Sequence, residues 1–125
     1  MVQLLLIGCG GFLGSISRFL VSGWVQRLAP GSSFPWGTLG VNVIGCLLIG
    51  LAGGLAESRG LFDPRQRALL MIGFLGGFTT FSTFGWETLA LLRGAALARA
   101  FANCGLQVGL GLVAVWAGLA LARAL

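Results

Sequence analysis

The sequence has no histidine, no lysine and no tyrosine, and only three of its 125 residues are acidic. Histidine is the commonest general base and metal ligand, and lysine forms Schiff bases, so their absence removes much of the chemistry that enzymes use. Charged residues make up 9% of the chain, whereas soluble domains carry roughly a quarter. We therefore predict that the chain is not an enzyme and not a solvated monomer.

Cysteine is also scarce, and the basic residues are dispersed. The three cysteines, Cys9, Cys46 and Cys104, lie in apolar runs without CxxC spacing, which argues against a disulfide framework or a zinc site. The eight basic residues are all arginines and give a net charge of +5. They form no basic stripe, so a nucleic-acid partner is disfavoured and a membrane surface is favoured.

Long uncharged hydrophobic runs dominate the chain, of which 57% is hydrophobic. A helix that crosses a bilayer needs about 20 apolar residues. The longest charge-free stretches are residues 1–17, 28–56, 68–86 and 100–122. We predict an all-α integral membrane protein, a single domain over residues 1–125, with transmembrane helices at about 3–24, 37–56, 68–92 and 100–122.

The glycines and arginines predict how these helices assemble. Each predicted helix holds a GxxxG pair, which lets backbones approach closely in lipid. The pairs are Gly10/Gly14, Gly50/Gly54, Gly73/Gly77 and Gly105/Gly109. Four spans put four arginines on one side of the membrane and three or four on the other, depending on Arg18. Because arginine bias sets orientation, this balance predicts an antiparallel, dual-topology homodimer; the alternative is one fixed orientation set by small biases.

The third predicted helix carries the densest polar cluster, from Gly76 to Phe84. Two adjacent glycines followed by the β-branched Thr79 and Thr80 weaken a helix near its middle. A break within lipid frees backbone carbonyls and amides, which bind ions in transporters and channels. We predict that helix 3 is broken there; the alternative is an unbroken helix whose hydroxyls bond to the preceding turn.

Two stripes of side chains follow the predicted break. Thr80, Thr83 and Glu87 share one helical face at i, i+3 and i+7, and Phe81 and Phe84 form the neighbouring stripe. The edge of a phenyl ring carries positive partial charge, so rings beside hydroxyls suit a small anion. Ordinary core packing is the alternative for the phenylalanines, and Glu87 would repel an anion unless it is protonated or paired.

Four further polar residues lie in or near the other predicted spans. Asn42 is in helix 2, Arg18 is near the end of helix 1, and Asn103 and Gln107 share a face of helix 4. Polar groups in a membrane are costly and usually face a partner or a wet pathway, so the amides either line a pathway or join helices. Arg18 either snorkels to the interface or concentrates anions at a vestibule.

Three segments resemble the signatures of the small bacterial fluoride channels called CrcB or Fluc proteins. They are GGFLGSISRF at 10–19, PWGTLGVNVIG at 35–45 and GFLGGFTTFSTF at 73–84. The resemblance implies an antiparallel dual-topology homodimer in the bacterial inner membrane, with two pores that passively export fluoride. It also implies a central structural sodium ion held by backbone carbonyls at the break, here those of Gly76 and Thr79.

The resemblance further implies which side chains line the fluoride pathway. Phe81 and Phe84 would offer ring edges, Asn42 an amide donor, and Ser82 and Thr83 hydroxyls, alongside Thr80 of the hydroxyl stripe. The family often has a hydroxyl on helix 4, where this chain has Asn103 and Gln107.

Two other functions stay open on the sequence. A small multidrug-resistance-type exporter also has four helices, but it exchanges protons through a carboxylate in helix 1, and here the only acidic residue within a predicted span is Glu87. The third reading is a non-transporting subunit of an assembly held together by glycine packing.

Overall fold

The computed structural model describes all 125 residues as helices joined by short connections, without strands. Its elements are α1 (Val2–Arg27), α2 (Trp36–Arg59), α3 (residues 64–78), α4 (Phe81–Arg93) and α5 (Leu97–Ala124). Because α3 and α4 together form the span Pro64–Arg93, four segments are long and apolar enough to cross a membrane. The prediction of an all-α chain with four membrane-spanning helices is confirmed.

The ends of the spans extend beyond the predicted bounds by up to four residues, and the largest extension is at the start of α3, where polar residues cap the helix. Asp63 and Gln66 form a capping box, and Pro64 occupies the first turn of α3, where its missing N–H is not needed. The left-handed Gly60, with φ of 63°, ends α2. Gln26 caps the start of α2, since its Oε1 accepts a hydrogen bond from the Gly37 N–H at 3.0 Å.

The third span is interrupted at Thr79 and Thr80, which separate α3 from α4. Both residues have extended backbone, with φ and ψ of −84° and 158° at Thr79 and −150° and 117° at Thr80. The glycines Gly76 and Gly77, on which the predicted weakness partly rested, are helical. Upstream of them, Ala68–Leu75 forms a π-helix, a wide form found often at functional sites, which the sequence did not predict.

Glycine pairs bring α1 and α3 into backbone contact. A Cβ atom on Gly14 would overlap the carbonyl oxygen of Phe74, and one on Gly77 would lie 2.6 Å from the carbonyl oxygen of Gly11. Gly10 and Gly73 make the same kind of contact one turn away, with their Cα atoms facing each other. The two GxxxG pairs therefore interlock, as expected for close packing in lipid.

A second glycine contact joins α2 and α5. Gly50 faces the carbonyl oxygen of Val115, and Gly118 faces that of Leu47. Gly105 and Gly109 differ, because nothing lies within 4 Å of a Cβ atom built on either of them. Three of the four GxxxG pairs thus serve packing within the chain, and the pair on α5 does not.

Candidate functional site

The break in the third span is held by the side-chain amide of Asn42 on α2. Its Oδ1 accepts a hydrogen bond from the Thr80 N–H at 2.9 Å, and its Nδ2 donates to the Thr80 carbonyl oxygen at 3.1 Å. The same Nδ2 donates to Oε1 of Gln107 on α5 at 3.0 Å. Asn42 therefore satisfies both backbone groups of an extended residue within the membrane, where an unpaired one costs several kcal/mol.

The hydroxyl of Thr80 forms the N-cap of α4. Thr80 Oγ1 accepts a hydrogen bond from the Thr83 N–H at 3.2 Å and donates to Thr83 Oγ1 at 3.0 Å. Ser82 Oγ lies 3.4 Å from the same oxygen. The three predicted hydroxyls are therefore one cluster at the start of α4, where the helix dipole is positive.

The break leaves backbone carbonyls of the preceding turn without their helical donors. In a continuous helix the Gly76 carbonyl would accept from the Thr80 N–H, and the Thr79 carbonyl would accept from the Thr83 N–H. The Thr80 N–H instead bonds to Asn42, and the Thr83 N–H bonds to the Thr80 hydroxyl. The carbonyls of Gly76 and Thr79, which the resemblance assigns to a sodium ion, are therefore among those that lose their helical partners at the break.

A cavity of about 420 Å³, here called the phenyl cavity, adjoins the break. The phenyl rings that line it are those of Phe81 and Phe84, whose centroids lie 5.4 Å apart with an interplanar angle of 59°. Phe81 is 83% exposed in the chain, so packing in this chain's own core does not explain it. Asn42, Thr80 and Gln107 supply polar groups to the same cavity.

A larger cavity of about 900 Å³, here called the polar cavity, also has Thr80 in its lining. Thr80, Thr83 and Glu87, the predicted hydroxyl face, all line it, and so does Arg18. Thr80 lines both cavities. Thr80 therefore links the cavity that holds the hydroxyl face and Arg18 with the cavity that holds the two phenyl rings.

Glu87 has a partner that the sequence reasoning missed. The hydroxyl of Thr38 donates to Glu87 Oε1 at 2.8 Å, while Oε2 is buried without a hydrogen-bond partner. Thr38 precedes Asn42 by one helical turn on α2, so an i, i+4 polar pair on that helix was a signal that could have found it.

The two amides of α5 have different surroundings, although they share a helix face. Asn103 is fully buried, and its Nδ2 donates to the hydroxyl of Thr88 at 2.9 Å. Gln107 lines the phenyl cavity and bonds to Asn42. Oδ1 of Asn103 and Nε2 of Gln107 are buried without hydrogen-bond partners. Asn103 lines neither of the two cavities.

The family described as CrcB-like protein, Camphor Resistance (CrcB), matches residues 5–119 of the chain. The chain is also similar to three curated proteins named fluoride-specific ion channel FluC. It is 46% identical to that of Methylobacillus flagellatus over 123 residues, which are 98% of this chain and 96% of the relative. It is 48% identical to that of a Sulfurovum species, over 98% of this chain and 94% of the relative.

The third relative, from Rhizobium etli, is 47% identical over 100% of this chain and 99% of its own length. Matches of this extent cover all four spans, the break and both cavities, so no part of the site lies outside the compared region. The chain is therefore a multi-pass membrane protein and belongs to the CrcB family.

Proposed function

We propose that this chain forms a channel that passively exports fluoride from the cytoplasm of a bacterial cell. The relatives named above are called fluoride-specific ion channels. The observation that carries the proposal is the interruption of the third span, which Asn42 holds open beside the exposed ring of Phe81. It puts hydroxyls, amides and ring edges at one point within the membrane.

The proposed fluoride pathway runs from the polar cavity past Thr80 into the phenyl cavity. Ser82 and Thr83 offer hydroxyl protons at the positive start of α4, and Thr80, whose own proton is donated to Thr83, forms the wall of the pathway there. Phe81 and Phe84 then offer ring edges. Fluoride is small and strongly hydrated, so successive polar groups must replace its water shell.

Asn42 and Arg18 take different parts in this pathway. Both amide protons of Asn42 are engaged within the chain, so its part is to form the wall of the pathway and to hold the break. Arg18 lines the polar cavity, which makes it the vestibule residue that raises the local concentration of anions.

The proposed assembly is an antiparallel, dual-topology homodimer with two pores. Near-equal arginine counts on the two sides favour insertion in both orientations. The open surface around Gly105 and Gly109 and the exposed Phe81 leave faces that a second copy can cover. A two-fold arrangement closes such an assembly.

A structural sodium ion is proposed at the break, bound by the backbone carbonyls of Gly76 and Thr79. These carbonyls fit the ion, because their helical donors are bonded elsewhere and unwound carbonyls are the usual sodium ligands in membrane helices. The ion would supply positive charge that neutralises two otherwise unpaired dipoles. It is a fixed constituent in this proposal and is not transported.

The test is flux from purified protein in liposomes, recorded with a fluoride electrode and repeated with chloride. Passive fluoride efflux that does not require protons is expected. A strict proton requirement would instead support a small multidrug-resistance-type exporter that uses the buried carboxylate of Glu87. No flux of either ion would support a non-transporting subunit.

A further inference from the structure

One end of the helix bundle carries side-chain charge of a single sign. The connection between α1 and α2 meets the start of α5 there, because Arg99 donates a hydrogen bond to the hydroxyl of Ser33. The segments 19–37 and 88–102, which form this end, hold three arginines and no acidic residue. The arginines are Arg27, Arg93 and Arg99. This end of the bundle therefore attracts anions.

Only one of these three arginines reaches the polar cavity. Arg99 and its partner Ser33 both line that cavity, whereas Arg27 and Arg93 line neither the polar nor the phenyl cavity. Thr80 of the break lines the polar cavity as well. The cavity therefore extends from the end of the bundle into the third span, and we call its outer part, at Arg99 and Ser33, its mouth.

The bond to Ser33 holds the charge of Arg99 at this mouth. An exposed arginine without a partner samples many rotamers, which spreads its charge over the surface. Arg99 is exposed, but its bond crosses from α5 to the connection between α1 and α2. A serine hydroxyl is uncharged, so the bond fixes the guanidinium without neutralising it.

We propose that Arg99 is an anion-capture residue at the mouth of the polar cavity, and that Ser33 is its positioning residue. This proposal rests on the proposed channel function. A cleft with walls of low dielectric constant focuses the field of the charges that line it, which raises the local concentration of anions and their rate of entry. Arg99 acts on this first step, before an anion reaches the break, and forms no part of the wall at the two phenyl rings.

The first test neutralises the charge at low ionic strength. In liposomes of zwitterionic lipid at about 0.01 M ionic strength the Debye length is about 30 Å, so the field of Arg99 is little screened. We expect Arg99→Gln to slow fluoride efflux about threefold, the change in local anion concentration that one unit charge gives at about 6 Å in water. Arg99→Lys keeps the charge and is expected to restore most of the efflux.

The matched control is Arg93→Gln. It removes the same charge from the same end of the bundle, but Arg93 is exposed and lines neither cavity. We expect it to keep the efflux of the unmodified protein. Both variants lower the net charge by one, so a difference between them reports the position of the charge and not the total.

The second test raises the ionic strength to about 1 M with an impermeant salt, at constant fluoride and sodium. The Debye length falls to about 3 Å, so the efflux of Arg99→Gln should rejoin that of the unmodified protein. Ser33→Ala keeps the arginine but removes its tether. It should slow efflux less than Arg99→Gln does, and this loss should also vanish at about 1 M.

The outcomes separate this inference from the function on which it rests. If the unmodified protein carries fluoride but Arg99→Gln behaves like Arg93→Gln, the inference is wrong and the channel stands. A loss in Arg99→Gln that is the same at both ionic strengths indicates a structural role and also overturns it. If the unmodified protein carries no fluoride, the proposed function itself fails. If Arg99→Gln does not fold, the salt dependence of Ser33→Ala decides the question.

Discussion

Removing the amide of Asn42 is the sharpest perturbation of the break. Asn42→Ala deletes three hydrogen bonds, two to the backbone of Thr80 and one to Gln107. Hydrogen bonds between membrane helices average about 0.6 kcal/mol, so the loss is about 2 kcal/mol. This figure is a lower bound on the free-energy loss, because the substitution also leaves the Thr80 N–H and carbonyl unpaired.

The Thr80 amide proton reports the loss directly. About 2 kcal/mol corresponds to a factor of about 30 in the opening equilibrium, so hydrogen exchange at the Thr80 amide should accelerate about 30-fold. We do not expect the span to rewind into a continuous helix, since the methyl group of Thr79 packs against Gly45 and the Thr80 hydroxyl still caps α4. Fluoride efflux from liposomes should fall at least about tenfold as the break loses its geometry.

The matched control is Asn103→Ala, which truncates an amide that is fully buried but removes a single bond to Thr88 that does not involve the break. Exchange at the Thr80 amide should be unchanged in this control. Unchanged exchange in Asn42→Ala, together with normal fluoride efflux, would refute the argument that this amide holds the break.

Three other predictions concern the rings, the glycine contacts and the topology. Phe81→Ile and Phe84→Ile should each slow fluoride efflux without preventing dimer assembly on size-exclusion chromatography; normal efflux in both would contradict a ring-lined pathway. Gly14→Ala places a Cβ atom against the Phe74 carbonyl oxygen and should destabilise the fold by about 1–3 kcal/mol in detergent unfolding, whereas Gly8→Ala on the same helix meets nothing within 4 Å and should cost less. Accessibility tags at either terminus should be found on both sides of the membrane, and a single sidedness would defeat dual insertion.

The sequence alone predicted the spans because their signal is local. Charge-free apolar runs of about 20 residues are long enough to cross a bilayer, and the spans of the structure follow those runs. The weak point of the third span was also predictable, since two β-branched threonines after two glycines disfavour a helix. The stripes of hydroxyls and rings followed from helical spacing once α4 was placed.

The sequence predicted the region of the break, but it could not predict which residues leave the helix or what holds them. The interruption lies at Thr79 and Thr80 because Asn42, 38 residues away, satisfies the backbone of Thr80. The π-helix upstream, Ala68–Leu75, has a composition that an ordinary membrane helix would also have. No local pattern encodes either feature.

Tertiary structure also decided which of several equivalent polar residues face the cavities. Asn103 and Gln107 share one face of α5, yet only Gln107 reaches the phenyl cavity, and Thr38 meets Glu87 across 49 residues. Periodicity therefore fixed which residues share a helix face. Which neighbour each face meets depends on hydrogen bonds between helices, because in lipid each buried donor must find its partner across the fold.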